Sequence, residues 1–337
     1  MSAPASGGAH RAHRRSTRPR WLFAVIATAM AVLAVASVVH LGGGREDRAQ
    51  STAQSAWSVF DAVSVSGRVG AVPVVSVNGT IRAGGVKSRV LHEGDGRRIT
   101  AGAPVLLSIT AFDADDGKNL SPQGRPQLTV GPVDADTLGD ELLDLVVDRP
   151  EGTRILVIRP VSASERAAGA SSDVEIDVVD VLPSIAYGDE ATGESAGVLQ
   201  VAMRDEGPVI THGAEVPGGV TVQSLIAGDG AQVHEDDRVV AQFTVVGWND
   251  GAVRASTWRT GMPELIDMTT AMRGLRQALV DQRVGSRLAI SIPPDLAEGD
   301  DTLCVVIDVL GTEPAVSDGR EASQSGPSSE QAAQSGA

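Results

Sequence analysis

Short runs of valine and isoleucine recur between residues 61 and 312, and Gly, Asp and Pro separate them. Apolar runs of this length that are bounded by turn residues predict antiparallel β-strands. Helical periodicity is scarce, and the two short amphipathic segments that predict helices lie near Glu141 and Leu275. The hydrophobic pattern therefore predicts a sheet-rich α+β protein.

Two parts of the chain repeat the same order of predicted elements. Residues 88–106 and 222–240 each give a strand, a turn and a strand, and a Gly-Asp-Gly motif falls at the same place in both. Residues 141–160 and 275–294 each give a short amphipathic helix, a glycine turn and a strand that ends at proline. A shared order of elements predicts a duplicated module.

Each copy closes with an apolar strand, at residues 174–182 and 302–310. The stretch before the first copy and the stretch after the second are polar, rich in small residues and without apolar periodicity, which predicts mobile segments. The predicted organisation is a basic N-region at 1–20, an apolar segment at 21–41, a linker at 42–60, a first module at 61–190, a second module at 198–312 and a disordered tail at 313–337.

The apolar segment at 21–41 carries no charge, and five arginines and no acidic residue precede it. Its length is close to the ~20 residues that a membrane-spanning helix needs. Ala34-Val35-Ala36 is also a plausible cleavage site for a signal peptide. A transmembrane anchor and a cleaved signal both remain open, and both place the following residues outside the cytoplasm because the arginines stay inside.

Composition narrows the possible partners and cofactors. A formal net charge of −15, despite the basic N-region, makes the modules strongly acidic and excludes nucleic acid as a partner. Cys304 is the only cysteine, so the sequence offers no internal disulfide and no cysteine-based metal cluster, and we expect it to be a buried strand residue. The six histidines show no metal-binding spacing, so no metal or cofactor is predicted.

The second copy resembles the FKBP-type peptidyl-prolyl cis-trans isomerases, especially the extracytoplasmic forms of actinobacteria. The first copy is assigned mainly through the second. The motifs that carry the resemblance are Pro217-Gly-Gly-Val-Thr-Val, Gly228-Asp-Gly, Val239-Val-Ala-Gln-Phe-Thr, Gly247-Trp-Asn-Asp-Gly, Ser256-Thr-Trp-Arg-Thr-Gly, Arg273-Gly-Leu-Arg-Gln-Ala-Leu, Val284-Gly-Ser-Arg, Ile292-Pro-Pro and Thr302-Leu-Cys-Val-Val-Ile-Asp-Val-Leu-Gly.

The resemblance implies two FKBP-like domains, the first strongly degenerate, each a curled antiparallel sheet around a short helix. In the second domain the helix is expected at about 272–280. Enzymes of this family rotate the peptide bond before proline, whose barrier is about 18–20 kcal/mol. A dry aromatic pocket favours the twisted amide over the solvated planar one, and no side chain reacts covalently.

The family's substrate pocket maps onto residues that depart from its pattern. Phe243 replaces a tyrosine and loses the hydroxyl donor. Arg254 and Ala255 replace a Phe-Asp pair, which removes one aromatic ring and one carboxylate. The full set of predicted substrate-binding residues is Phe243, Trp248, Arg254, Ala255, Met272, Leu275, Glu298 and Val305.

Three further substitutions deplete the same pocket. Leu275 replaces the tryptophan at its floor, Glu298 a loop tyrosine, and Val305 a phenylalanine of the final strand. The backbone N–H of Met272 is still placed to bind a substrate carbonyl. The resemblance therefore implies an isomerase with weak activity on proline-containing segments of exported proteins, or, alternatively, a non-catalytic peptide-binding or chaperone module.

Three aromatic residues have two interpretations each. Trp248 and Trp258 flank the pocket when the motifs are matched to those of the family. Each could stack on a peptide or pack the edge of the sheet. Tyr187 lies in Ile185-Ala-Tyr-Gly, which looks like the family's tyrosine loop. It follows the final strand of its copy rather than preceding it, so a place in the linker between the modules is favoured.

Overall fold

The structure, a computed structural model, describes residues 58–167, 170–191 and 198–315. The first module contains β1 (Val63–Ser66), β2 (Val74–Val77), β3 (Lys87–His92), β4 (Pro104–Asp113), β5 (Gln127–Pro132), α1 (Ala135–Val146), β6 (Arg154–Pro160), α2 (Ala163–Ala167) and β7 (Val174–Leu182). The second contains β8 (Asp189–Glu190), β9 (Leu199–Arg204), β10 (Gly207–His212), β11 (Thr221–Ala227), β12 (Asp237–Gly247), β13 (Val253–Ser256), β14 (Glu264–Asp267), α3 (Arg273–Leu279), β15 (Arg287–Ile292), α4 (Pro294–Ala297) and β16 (Leu303–Pro314). The sheet-rich α+β architecture with few helices is as predicted.

The main sheets of the two modules are antiparallel and have the same strand order. In the first module the order is β3-β6-β7-β4-β5, and in the second the corresponding strands run β11-β15-β16-β12. β13 and β14 pair successive parts of β12, and β8 pairs the end of β11. The final strand of each module, β7 or β16, therefore lies in the middle of its sheet.

The repeated Gly-Asp-Gly motifs make the same backbone contact in both modules. A Cβ atom on Gly94 would lie 2.1 Å from the carbonyl oxygen of Glu151, in the turn that follows α1. A Cβ atom on Gly228 would lie 2.4 Å from the carbonyl oxygen of Val284, in the turn that follows α3. Only glycine allows this approach, which explains why the motif occurs twice at the same place.

Each main sheet is buried on two faces. On the helix face of the first sheet, α1 buries Leu138, Leu142 and Val146, whereas on the helix face of the second sheet α3 buries Ala278 and Leu279. We call the opposite side the outer face. Because both faces are covered, the central strand β16 is apolar at nearly every position between residues 303 and 310.

An N-terminal hairpin covers part of each outer face. The β1–β2 hairpin packs on the first sheet, where Val75 joins Phe112 and Ile158 in one cluster. The β9–β10 hairpin packs on the second sheet, where Leu199 joins Val306. The structural repeat thus begins earlier than the sequence repeat, which contained neither hairpin.

The remaining parts of the two outer faces pack on each other. Leu106 and Leu182 of the first module share one apolar cluster with Val240 and Leu310 of the second. These residues occupy corresponding places on β4, β7, β12 and β16. The modules therefore meet through equivalent surfaces, as the two subunits of a twofold dimer do.

Several elements end at other residues than predicted. α3 agrees with its expected position. α1 begins at Ala135, where the Asp134 side chain accepts the Thr137 N–H at 2.8 Å, and it is interrupted at Gly139, so that its second segment begins close to the predicted start near Glu141. β16 continues to Pro314, so Glu313 is a buried strand residue rather than part of a tail. β8 precedes the expected domain boundary but belongs to the second sheet.

The apolar segment at 21–41 lies outside the described residues, so its prediction as a transmembrane helix or signal peptide stays a prediction. Within the described part of the chain, no helix has the length and apolar character needed to cross a bilayer.

Candidate functional site

Four of the eight predicted site residues lie in one apolar cluster on the helix face of the second sheet. Phe243, Met272 and Leu275 are partly buried in this cluster, and Val305 is 3% exposed. They come from β12, the start and first turn of α3, and β16. We call these four residues the apolar site.

Strand periodicity places Phe243 and Val305 on the helix face. β12 directs alternate residues to this face, and in β16 Val305 does so together with Ile307. The backbone of Phe243 is fixed by Thr257, whose Oγ1 accepts the Phe243 N–H at 2.8 Å and whose own N–H donates to the Phe243 carbonyl at 2.9 Å. This link holds β12 between the segments where β13 and β14 pair with it.

The short helix α3 places Met272 and Leu275 over the sheet. Met272 is the N-cap residue, and its carbonyl accepts the Leu275 N–H at 3.1 Å. A Cβ atom on Gly274 would lie 2.2 Å from the Ile292 side chain, so glycine lets the helix approach β15 closely. Among the hydrogen bonds of the described residues, the Met272 N–H donates to none. The role of this amide in binding a substrate carbonyl stays a prediction.

Arg254, Ala255 and Glu298 lie outside the apolar site. Nη2 of Arg254 lies 2.9 Å from a carboxylate oxygen of Asp250 and 3.6 Å from one of Asp301. Ala255 is exposed on β13, and Glu298 is an exposed residue with φ 56° that ends α4. Ala255 nevertheless pairs with Val245, which packs in the same cluster, so it lies on the helix face beside the apolar site. Arg254 is held by Asp250, and Glu298 is exposed.

The two tryptophans lie against the outer face. Trp248 is 5% exposed and stacks on His212 of the β9–β10 hairpin, with ring centroids 3.8 Å apart. The guanidinium of Arg287 lies 5.5 Å from the ring centre of Trp258. Both positions correspond to the packing interpretation. The hairpin that covers Trp248 was missed in the sequence, although Leu199, Val201 and Ile210 carry a strand-like pattern.

Tyr187 lies between the two modules, as favoured from its place in the sequence. Its N–H donates to the Gly285 carbonyl at 3.0 Å, and its ring packs at the edge of the second module's core. It lines a cleft of about 540 Å³ together with Arg68, His92 and Pro183 of the first module and the connection. Burial, followed by the charge of Asp229, raises the pKa of Tyr187 to about 12, so the hydroxyl stays protonated.

The apolar site carries no charged side chain, whereas the β12–β13 hairpin carries the Asp250–Arg254 ion pair. The backbone N–H of Ala252 and the Arg254 guanidinium lower the pKa of Asp250. Asp250 and Arg254 therefore remain an ion pair over the neutral range. What the four residues offer a ligand is one aromatic ring, aliphatic surface and one free backbone donor.

Comparison with known proteins supports the family resemblance. The "Probable FK506-binding protein" of Corynebacterium glutamicum is 23% identical to this chain over 103 residues, covering 28% of this chain and 87% of the relative. No family model matches the chain. The similarity to FKBP-type proteins, inferred from the motifs, is confirmed by this relative.

Solved structures found by comparison include FkpA from Escherichia coli, at 21% identity, 34% coverage of this chain, 52% coverage of that chain and a TM-score of 0.27. They also include the three FKBP domains of wheat FKBP73, at 15% identity, 68% and 95% coverage and a TM-score of 0.26. Because these scores are low, the resemblance rests on the motifs and the curated relative.

Proposed function

We propose that this chain is a weak FKBP-type peptidyl-prolyl cis-trans isomerase that acts outside the cytoplasm on exported proteins, with the apolar site of the second module as its substrate site. The observation that carries the proposal is the convergence of Phe243, Met272, Leu275 and Val305 on one helix-and-sheet face. The family resemblance supports a substrate site here, because the family's substrate pocket maps onto these four residues. The basic N-region and the apolar segment at 21–41 support the extracytoplasmic location.

The chemistry requires no reacting side chain. A prolyl ring against Phe243 and Leu275 would leave water, and this environment favours the twisted amide, which has lost its conjugation and part of its polarity. The free N–H of Met272 would hold a substrate carbonyl in place. One aromatic ring gives less shaped apolar surface than several, so the expected acceleration is small.

A binding module without catalysis is the second candidate. It is favoured by the position of Arg254, which is held by Asp250 rather than facing the apolar site, and by the absence of a carboxylate among the four site residues. Such a module would hold proline-containing or apolar segments and release them unchanged.

The decisive experiment is a proline-isomerisation assay of the full chain on a panel of tetrapeptides. We expect a rate above that of buffer, and a further increase of about tenfold for Leu275→Trp, because a second ring would enlarge the apolar surface. Val216→Trp is the matched control, since Val216 is 55% exposed and lies outside the apolar site. We expect this control to leave the rate unchanged.

Two results would argue against isomerase activity. A rate equal to buffer for the wild type and for Leu275→Trp, with both proteins folded, would exclude it. Peptide binding without acceleration would favour the second candidate. For the location, a reporter enzyme that works only outside the cytoplasm should be active when fused after residue 315, and inactive when residues 1–41 are deleted.

A further inference from the structure

The first module holds one end of the strands that carry the apolar site. Arg125, in the connection between β4 and β5, donates to both carboxylate oxygens of Asp237, at 2.5 and 3.0 Å. Asp237 is the first residue of β12 and is 1% exposed. A bidentate guanidinium–carboxylate pair of this kind fixes orientation as well as distance.

The same aspartate ties together three parts of the second module. Its carboxylate also accepts the Thr312 hydroxyl at 2.7 Å and the His234 N–H at 2.9 Å. Its carbonyl accepts the Met268 N–H at 3.0 Å. Burial tends to raise the pKa of Asp237, but the bonds from Arg125, His234 and Thr312 outweigh it and lower the pKa. The group therefore stays ionised and keeps all of these bonds at neutral pH.

A second contact holds the end of β16. Glu313 accepts the Leu128 N–H at 2.6 Å and pairs with Arg238 at 2.5 Å. A Cβ atom on Gly311 would lie 2.8 Å from the Leu128 side chain, so β5 lies directly against this strand. Together with the apolar cluster between the outer faces, these bonds anchor both β12 and β16 to the first module.

The anchored region leads directly to Met272. Met268 follows β14 and is fully buried, and Asp267 before it orders the next residues. The Asp267 carboxylate accepts the Thr269 N–H at 2.8 Å, and its carbonyl accepts the Ala271 N–H at 2.9 Å. This turn ends at Met272, whose free amide belongs to the apolar site.

We propose that Arg125 of the first module is a positioning residue for the apolar site of the second. The first module acts as an intramolecular clamp on β12, on the turn that leads to Met272 and on the end of β16. The inference rests on the proposed function where it concerns peptide binding. It assigns the first module a task that does not require a substrate site of its own.

The chain provides a matched control in another ion pair between the modules. Arg68, in the β1–β2 connection, contacts Asp229 in the Gly-Asp-Gly loop of the second module. These side chains are 49% and 71% exposed, and no hydrogen bond or ion pair among the described residues joins either of them to β12, β14 or β16. Arg68→Ala therefore removes an inter-module contact without releasing the clamped region.

The test compares full-length wild type, Arg125→Ala, Arg125→Lys and Arg68→Ala. Two measurements are made: the dissociation constant for a fluorescent proline-containing peptide, and the hydrogen-exchange rate of the Met268 N–H. We expect Arg125→Ala to weaken binding about tenfold and to speed exchange at Met268 at least tenfold. Arg125→Lys should restore part of both, and Arg68→Ala should change each less than twofold.

A further variant, Arg125→Met with Asp237→Asn, keeps the experiment decisive if Arg125→Ala fails to fold, because it leaves no unpaired buried charge. This variant should also bind peptide weakly and exchange rapidly at Met268. Unchanged exchange and binding in a folded Arg125 variant would overturn the inference. If the wild type binds no proline peptide, the proposed function fails, while exchange at Met268 still decides whether Arg125 positions the turn.

Discussion

The helix faces of the two modules share a strand frame but differ in chemistry. Leu303 and Val305 of β16 correspond in register to Glu175 and Asp177 of β7, because Ile292 pairs with Leu303 as Arg159 pairs with Glu175. The end of the helix face that is apolar in the second module is therefore charged in the first module. A duplicated fold did not duplicate the site.

The charged end of the first module is an ion cluster around one guanidinium. Arg159 contacts Glu165 at 3.0 Å, Glu175 at 2.5 Å and Asp177 at 3.0 Å. Such a cluster satisfies its own charges and offers no dry surface to a prolyl ring. The first module can therefore lack a substrate site and still serve the second as a clamp.

The helices α1 and α3 also differ in how deeply they bury a corresponding leucine. Counted from the residue with positive φ that follows each helix, Asp148 or Asp281, Leu142 corresponds to Leu275. Leu142 is 5% exposed, whereas Leu275 is only partly buried. α1 is interrupted at Gly139, and the turn before this break adds the buried Leu138 to the first core, whereas α3 is a single segment of seven residues whose Leu275 stays partly exposed.

The largest expected loss of stability comes from the Gly-Asp-Gly contact that the two modules share. Gly94→Ala and Gly228→Ala should each lower the free energy of unfolding by about 4 kcal/mol or more, because each Cβ would meet a backbone oxygen that cannot move aside. Urea unfolding of the full chain measures this. Gly84→Ala and Gly218→Ala are controls in open space, with expected changes within about 0.5 kcal/mol. If only one motif is sensitive, the two contacts are not equivalent.

A somewhat smaller effect should separate the two helices. Leu142→Ala should cost about 3 kcal/mol by leaving a cavity, with little change in peptide binding. Leu275→Ala should cost about 1 kcal/mol, because less of this side chain is buried, and should weaken peptide binding several-fold. Unfolding curves and peptide titrations check both variants. The reverse pattern would mean that the accessible apolar surface belongs to the first module.

An effect smaller than that of Leu142→Ala concerns the ion cluster and depends on pH. Burial and the charge of Asp177 raise the pKa of Glu175 from 4.5 to about 7. Between these values the folded protein binds more protons than the unfolded one, so its stability falls as pH rises. Glu175→Gln should therefore become more stable than the wild type by about 2 kcal/mol at pH 8, with little difference at pH 4.5. Urea unfolding across this range measures the difference.

Glu165→Gln is the control for that prediction. Burial tends to raise the pKa of Glu165, but bonds from Arg159 and Ser162 outweigh it and lower the pKa to about 2. Its stabilising effect is present above pH 4.5 and is lost as pH falls towards 2, so this variant should be less stable at neutral pH. Parallel pH profiles for wild type and Glu175→Gln would show that the cluster does not titrate as described.

The sequence predicted the features that depend on local order. Strand runs, the paired Gly-Asp-Gly motifs and the helix α3 follow from periodicity and from turn chemistry within a few residues. The cluster of Phe243, Met272, Leu275 and Val305 followed from the family motifs. Arg254 and Glu298 were predicted to belong to the same site, because matching motifs to a family gives the position of a residue along the chain and not the direction of its side chain.

What escaped prediction depends on contacts between distant residues. Arg125 and Asp237 are 112 positions apart, and nothing local marks them as partners. The hairpins over the outer faces were likewise missed, although the continuous apolar run of β16 indicated burial on both faces. Trp248 was assigned two roles because the hairpin that stacks His212 on it had not been recognised.

The central place of β16 has a consequence for the order of folding. A chain that emerges with its N-terminus first completes the first module at β7 long before the second module receives its middle strand. Until then β12 and β15 have no partner between them, and the bond from Leu128 to Glu313 cannot form. We therefore expect the second module to close last, on a first module that is already folded.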